Sequence, residues 1–157
     1  MKTFLVTLLT FITIHSYCRQ SDSGKMAFKE AVKLDSPDFS IAYRILKKEV
    51  KADPNNTEAR YFLGYCIDRI NSAHGAVMNL VKKQLTIEAS EQFEAIIKLQ
   101  PKYQGEIFVL DPYGKLTSVW GALAQSYLSK GLKDSATWAF REGKRRGGFI
   151  KPMLEYN

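Results

Sequence analysis

The stretch "WGALAQSYLSKGLKDSATWAFREG", residues 120 to 143, decides the fold. In its first half, apolar side chains recur at helical spacing and form one stripe, which consists of Trp120, Leu123, Ala124 and Tyr127. Gly131 interrupts this pattern, and Ala136, Phe140 and Gly143 then form a second stripe. Because the small residues Ala124 and Ala136 let two helix axes approach closely, the stretch predicts an antiparallel helical hairpin.

The two stripes resemble the signature of the tetratricopeptide repeat, which is W-x2-L-G-x2-Y in the first helix and A-x3-F in the second, followed by proline. All of these spacings are present here, with Ala124 in place of the signature glycine and Gly148 in place of the closing proline. The resemblance implies hairpins that stack on copies of themselves and present a concave groove to a peptide or protein.

Parts of the same signature recur upstream. The second-helix pattern occurs at Ala42, Leu46 and Pro54, and again at Ala89, Phe93 and Pro101. The first-helix pattern recurs at Leu63 and Gly64, where Arg60 and Ile67 stand in place of the aromatic residues. The three second-helix alanines are evenly spaced, as in a HEAT-type repeat, but two separate insertions of equal length produce that spacing.

We therefore predict an all-α fold of stacked antiparallel helical hairpins, a tetratricopeptide-like α-solenoid of about three repeats. The hairpins are predicted at about residues 24–54, 57–101 and 117–148. The insertion in the middle hairpin is predicted to be helical, so that its second helix covers about residues 76–100 and projects from the stack. Its predicted apolar face consists of Ala73, Ala76, Val77, Leu80, Val81, Leu85, Ala89, Phe93 and Ile96.

Two short motifs predict where helices begin. Ser36 followed by Pro37 is typical of an N-cap and a first helical turn, opening a helix that carries Ile41 on its apolar side. Asn55, with Glu58 three residues later, resembles a capping box at the start of the next helix.

The two ends of the chain carry different signals. Residues 1–18 combine Lys2 with a short apolar stretch and small residues at the end, which predicts a cleaved secretory signal and an exported domain over residues 19–157. Lipoprotein processing at Cys18 is the less favoured alternative, because Tyr17 is a poor residue before a lipidated cysteine. No transmembrane segment is expected after cleavage. Residues 149–157 are predicted to form a capping helix, or else to begin a further repeat of a longer protein.

The charged and reactive residues do not form a recognisable catalytic site. The chain has 23 basic and 16 acidic side chains, but the basic ones are scattered along it, so we expect no nucleic-acid partner. After cleavage, His74 is the remaining histidine and Cys66 the remaining cysteine, the latter expected as a small buried hydrophobe. We therefore predict no enzymatic activity, no cofactor and no metal site.

The resemblance also places a partner along the first helices of successive hairpins. In the middle hairpin that face carries Tyr61, Tyr65, Asp68 and Arg69, and in the third hairpin it carries Ser118, Gly121, Ala122 and Gln125. The tyrosines are expected to form an aromatic shelf for an extended peptide, with Asp68 and Arg69 selecting its charges. The alternative is that the tyrosines pack on the linker "EIFVLDPYG", residues 106–114.

Two functions remain open from the sequence. The first is a non-enzymatic scaffold that binds a protein or peptide in this groove. The second is an architectural or dimerising segment of a larger envelope protein in which no peptide uses the groove. The sequence does not identify the partner or the oligomeric state.

Overall fold

The computed structural model describes residues 23–35, 37–73, 79–101 and 111–148. All regular secondary structure in these residues is helical, and they contain no strand, which confirms the predicted all-α class. The helices of the described residues are α1 Ser23–Val32, α2 Ser40–Ala52, α3 Thr57–Ala73, α4 Asn79–Leu99, α5 Pro112–Leu128 and α6 Lys133–Arg145.

Each helix packs on the next one in the chain, and α1 also contacts α3. Side-chain contacts connect the odd-numbered helices, for example Phe28 of α1 with Tyr65 of α3 at 5.2 Å between ring centroids. Other contacts connect the even-numbered helices: Tyr43 of α2 donates a hydrogen bond of 2.9 Å to Glu88 of α4. The first and second helices of the hairpins therefore lie on two different sides of the structure.

The helices α3 and α4 run antiparallel and approach closely at Gly64. An added Cβ at Gly64 would lie 2.7 Å from the ring of Phe93 on α4, so the glycine makes room for that ring. Away from this contact, Asn71 donates a hydrogen bond of 3.1 Å to Thr86, and Arg60 donates one of 2.8 Å to Gln92. The predicted pairing of the Leu63–Gly64 pattern with the Ala89–Phe93 pattern is a direct contact.

The start of α2 differs from the prediction. The helix begins at Ser40, and residues 37–39 are not helical, so the Ser36–Pro37 motif does not open it. Phe39 is buried and packs against Phe28 at 5.3 Å, while the backbone amide of Ser40 donates to the carboxylate of Asp38 at 2.9 Å. Burial of Phe39 holds the entry in an irregular conformation that the capping motif alone did not indicate.

The N-cap of α3 is Asn56 and not Asn55. The side-chain oxygen of Asn56 accepts a hydrogen bond of 2.9 Å from the backbone amide of Ala59. Glu58 is the second residue of the helix, one before the position that completes a capping box, and its carboxylate binds Lys25 of α1 at 2.6 Å. The predicted N-cap was therefore wrong by one residue. Glu58 forms an ion pair with another helix instead of a hydrogen bond to the N-cap amide.

The helix α5 begins earlier than predicted. Asp111 caps it, accepting a hydrogen bond of 2.7 Å from the backbone amide of Gly114, and Pro112 occupies the first turn. This Asp-Pro start signal was present in the sequence but was assigned to the linker. The earlier start brings Lys115 into the helix, and its side chain reaches Asp68 and Tyr65 of α3.

The helix α4 confirms part of the predicted insertion. It covers residues 79–84 and continues to Leu99, while residues 74–78, including His74, lie outside the described residues. The predicted apolar face is correct at Ala89, Phe93 and Ile96, which are buried, but wrong at Leu80, which is 80% exposed. The start of α4 therefore extends past the packed core.

The second stripe of the opening stretch is only partly buried. Ala136, Ala139 and Gly143 are buried on α6, whereas Phe140 is 49% exposed, so the predicted second stripe is correct at Ala136 and Gly143 and wrong at Phe140. The buried face of α6 is therefore centred on Ala139 instead of on Phe140, the next residue in the chain. The predicted signal peptide at 1–18 and the predicted cap at 149–157 lie outside the described residues.

We expect the substitution Gly64→Ala to lower the free energy of unfolding by about 1–2 kcal/mol. The added methyl group would press on the buried Phe93 ring, and this overpacking outweighs the better helix propensity of alanine. Equilibrium denaturation monitored by circular dichroism measures the effect. The double variant Gly64→Ala/Phe93→Leu is the control, since the smaller side chain gives the methyl group space. A Gly64→Ala variant more stable than wild type would contradict the close contact.

Candidate partner-binding surface

A cluster around Tyr65 occupies the side of the molecule formed by the odd-numbered helices. The Tyr65 ring contacts Phe28 of α1, and the Nζ atom of Lys115 on α5 lies 3.5 Å from its centroid. The guanidinium of Arg69, one turn further along α3, lies 5.7 Å from the same centroid. Tyr65 thus connects α1, α3 and α5 and is half-buried as a result.

Asp68 and Lys115 form an ion pair across α3 and α5. The Nζ atom of Lys115 is 3.8 Å from Oδ2 of Asp68. The Lys115 side chain is 9% exposed and the Asp68 side chain is 14% exposed. Burial raises the pKa of Asp68 and lowers the pKa of Lys115, while the attraction between the two charges opposes both shifts. The structure therefore ties Asp68 to α5, and this carboxylate is not the freely exposed charge that the sequence predicted.

Tyr61 does not face a groove, which corrects the sequence prediction. Its side chain is fully buried, with ring centroids 6.0 Å from Phe62 and 6.1 Å from Phe93. Burial raises the pKa of its hydroxyl, and nearby Tyr65 and Asp111 add to the effect. The prediction considered the α3–α4 hairpin alone, whereas the start of α5 also lies beside Tyr61. Of the linker in the alternative prediction, residues 106–114, residues 106–110 lie outside the described residues.

The predicted positions on α5 are accessible. Ser118, Ala122 and Gln125 are exposed, and Gly121 is half-buried. Ser118 and Ala122 follow Lys115 at helical spacings of three and seven residues, so they continue along the same face of α5. Arg69 on α3 is exposed as well. The structure thus brings Tyr65, Asp68 and Arg69 together and leaves an open row beside them.

The sequence reasoning missed Lys115. Lys115 lies in "GKLT", residues 114–117, which carries no part of the repeat signature. Its position depends on α5 docking against α3, a long-range contact without a local sequence pattern. The Asp111-Pro112 start signal was the one available clue that Lys115 belongs to a helix.

Cys66 is a structural residue in the core. Its side chain is fully buried, and its thiol donates a weak hydrogen bond of 3.3 Å to the backbone oxygen of Phe39. Burial raises the pKa of this thiol to about 12, so the nucleophilic thiolate is scarce at neutral pH. The expectation of a small buried hydrophobe is confirmed.

The described ranges contain no group of three or more His, Cys, Asp and Glu side chains that could hold a metal ion. None of the described helices combines the length and the apolar character needed to cross a membrane.

Comparison with known proteins does not identify a relative. No protein-family model matches the chain, and no curated protein or solved structure is significantly similar to it.

We expect Cys66 to react with a thiol reagent such as DTNB at least about a hundredfold more slowly in the folded protein than in denaturant at pH 8. The reason is that the buried thiol lacks both access and thiolate character. Absorbance of the released chromophore measures the rate, and a free-cysteine peptide is the control. Equal rates with and without denaturant would contradict the burial of Cys66.

We expect Lys115→Met to destabilise the fold by about 2 kcal/mol, because it leaves Asp68 charged and half-buried without a partner. The double variant Lys115→Met/Asp68→Asn should recover to within about 1 kcal/mol of wild type, since no unpaired charge remains. Denaturant unfolding of all members of the cycle measures this. Additive losses in the double variant would show that the two side chains do not interact.

A pH dependence follows from the direction of the Asp68 shift. Because the folded protein holds the Asp68 proton more tightly than the unfolded chain, this group contributes stability that is fully present below pH 3.8 and is lost as the pH rises through the raised folded value. The stability of wild type relative to Asp68→Asn should therefore increase as the pH falls through this window. Denaturation at a series of pH values measures the difference, and a relative stability that decreases would contradict the shift.

Proposed function

We propose that this chain is a helical-repeat scaffold, similar to tetratricopeptide proteins, that binds a protein or peptide along its odd-numbered helices. The observation that carries the proposal is the cluster of Tyr65, Asp68 and Arg69 on α3, which contacts both α1 and α5. An aromatic ring beside charged groups on adjoining helices is a suitable surface for an extended segment, because such residues dominate binding energy at interfaces.

The repeat relationship is supported by the contacts inside and between hairpins. The small residue Gly64 faces the aromatic residue Phe93, which is the pairing that the repeat signature requires. Contacts from α1 to α3 and from α2 to α4 connect one hairpin to the next on both sides. These contacts are those expected when hairpins stack in one direction.

The exposed row on α5 extends the proposed surface. Ser118 and Gln125 are polar, exposed and without charge, and Ala122 between them is small. A peptide backbone can approach such a row closely, and the polar side chains can donate hydrogen bonds to it. We propose Tyr65, Arg69, Ser118 and Gln125 as partner-contacting residues, and Tyr61 as part of the core beneath them.

The architectural alternative is favoured by a different observation. The last hairpin exposes several large apolar side chains, namely Leu128 at 51%, Leu132 at 42%, Trp138 at 37% and Phe140 at 49%. Exposed apolar area of this kind is common at protein–protein contacts. In this case the end of the hairpin would join a further repeat or a second subunit. The surface of the odd-numbered helices that carries Tyr65, Asp68, Arg69, Ser118 and Gln125, here called the odd-helix surface, would then bind no partner. Export through residues 1–18 is compatible with both proposals.

We expect a displayed library of random linear peptides to yield binders to the purified chain, and the double variant Arg69→Ala/Gln125→Ala to bind them at least about tenfold more weakly. Fluorescence anisotropy with synthetic peptides measures the dissociation constants. The matched control is Lys48→Ala/Glu91→Ala, because both residues are exposed on the even-numbered helices.

Two results would contradict the proposal. The first is a library selection without enrichment, and the second is a set of binders that the Arg69→Ala/Gln125→Ala variant retains with full affinity. In the first case, light scattering coupled to size exclusion tests the architectural alternative, which predicts self-association that Leu128→Ser weakens.

A further inference from the structure

We infer that Lys115 determines which charge the odd-helix surface accepts. Its ammonium group contacts both Tyr65 and Asp68, so a cationic side chain of a partner cannot bind between them. Arg69 then remains available to bind an acidic side chain. The partner segment therefore carries aspartate or glutamate, and not lysine or arginine, where it crosses α3. This inference rests on the proposed function, because it concerns the specificity of that same surface.

Tyr65 and Asp68 together have the composition of a cation site. An aromatic face attracts a cation, and a neighbouring carboxylate supplies the opposite charge. In this structure the ammonium group of Lys115 already takes both positions, 3.5 Å from the Tyr65 centroid and 3.8 Å from Oδ2 of Asp68. Since Lys115 is only 7% exposed, a cationic side chain from a partner would have to displace it.

The fit between Lys115 and Asp68 is incomplete. A separation of 3.8 Å is an ion pair but is too long for a hydrogen bond. At this distance the Asp68 carboxylate keeps acceptor capacity for a closer donor. Removing the Lys115 ammonium should therefore leave a site that a lysine or arginine from outside can fill.

Arg69 is the charge that a partner meets first. It is exposed, and within the described ranges its guanidinium forms no ion pair with a carboxylate; its contact is with the Tyr65 ring at 5.7 Å. With Lys115 and Arg69 positive and Asp68 negative, the cluster has an excess of one positive charge. A guanidinium next to an aromatic ring binds a carboxylate well, because it can donate two parallel hydrogen bonds.

The surrounding charges do not reverse this preference. On the same side of the molecule, Lys25 of α1 is neutralised by Glu58 of α3 at 2.6 Å. The whole chain has a formal net charge of +7, which also attracts acidic segments and repels basic ones. Local and overall charge therefore favour the same class of ligand.

The test is a selection from the random peptide library against wild type, Lys115→Met, Lys115→Met/Asp68→Asn and Arg69→Glu. Wild type should enrich peptides with aspartate or glutamate. Lys115→Met removes the ammonium group that contacts Tyr65 and Asp68, and this variant should enrich peptides with lysine or arginine. The double variant lacks the carboxylate and should show no preference for cations. Circular dichroism and thermal unfolding confirm that each variant is folded.

A quantitative comparison follows with synthetic peptide pairs that differ by one Glu→Lys change. We expect wild type to bind the acidic peptide at least about tenfold more tightly, and Lys115→Met to prefer the basic one by a similar factor. Arg69→Glu should lose most of the acidic preference. Because Arg69 is exposed, this variant tests the acidic preference even if Lys115→Met does not fold. In that case Lys115→Met/Asp68→Asn, which is expected to fold, tests whether Lys115 sets the charge preference.

The outcomes separate this inference from the proposed function. Peptides that depend on Arg69 and Gln125 but show no charge preference would overturn the inference alone, as would an acidic preference unchanged in Lys115→Met. A wild-type protein that enriches no peptide would overturn the proposed function, and the inference with it.

Discussion

The close approach of α3 and α4 at Gly64 is the constraint on which the other contacts depend. Without a side chain at this position, the Phe93 ring can lie against the backbone of α3. The contact fixes the rotation of α3 about its own axis, because a helix that buries one face must expose the opposite one. Tyr61 is directed into the core by the same rotation, and Tyr65 and Asp68 are directed toward α1 and α5.

Ion pairs between helices help to determine which helices pack against one another. Lys25 with Glu58 and Lys115 with Asp68 connect odd-numbered helices, whereas Arg146, just after α6, binds Glu94 of α4 at 2.7 Å. Such half-buried pairs gain little net free energy, since desolvation offsets most of the attraction. Their larger effect is on specificity, because a shift of one helix past another would leave a carboxylate without its cation.

The sequence predicted the all-α class and the α3–α4 hairpin because both depend on spacing alone. The all-α class and the pairing of Gly64 with Phe93 follow from patterns that any helical hairpin must satisfy. Helix starts were less predictable, as Asn55 and Asn56 compete for one N-cap and only the backbone geometry distinguishes them. Phe140 was predicted to belong to the buried stripe, but it is 49% exposed, because Ala139 takes the inward position on α6.

The site could be located from sequence but not described. Helical spacing correctly placed Tyr65, Asp68 and Arg69 near one another on α3, since residues three and four apart share a face. It could not show that Lys115 from another helix covers Tyr65, because no local pattern records how α5 docks. Helical spacing thus identifies one face of α3, while the chemistry of that face depends on which side chain from a distant part of the chain contacts it. In this protein that side chain is a lysine, so the cation-binding capacity of Tyr65 and Asp68 is already used within the chain.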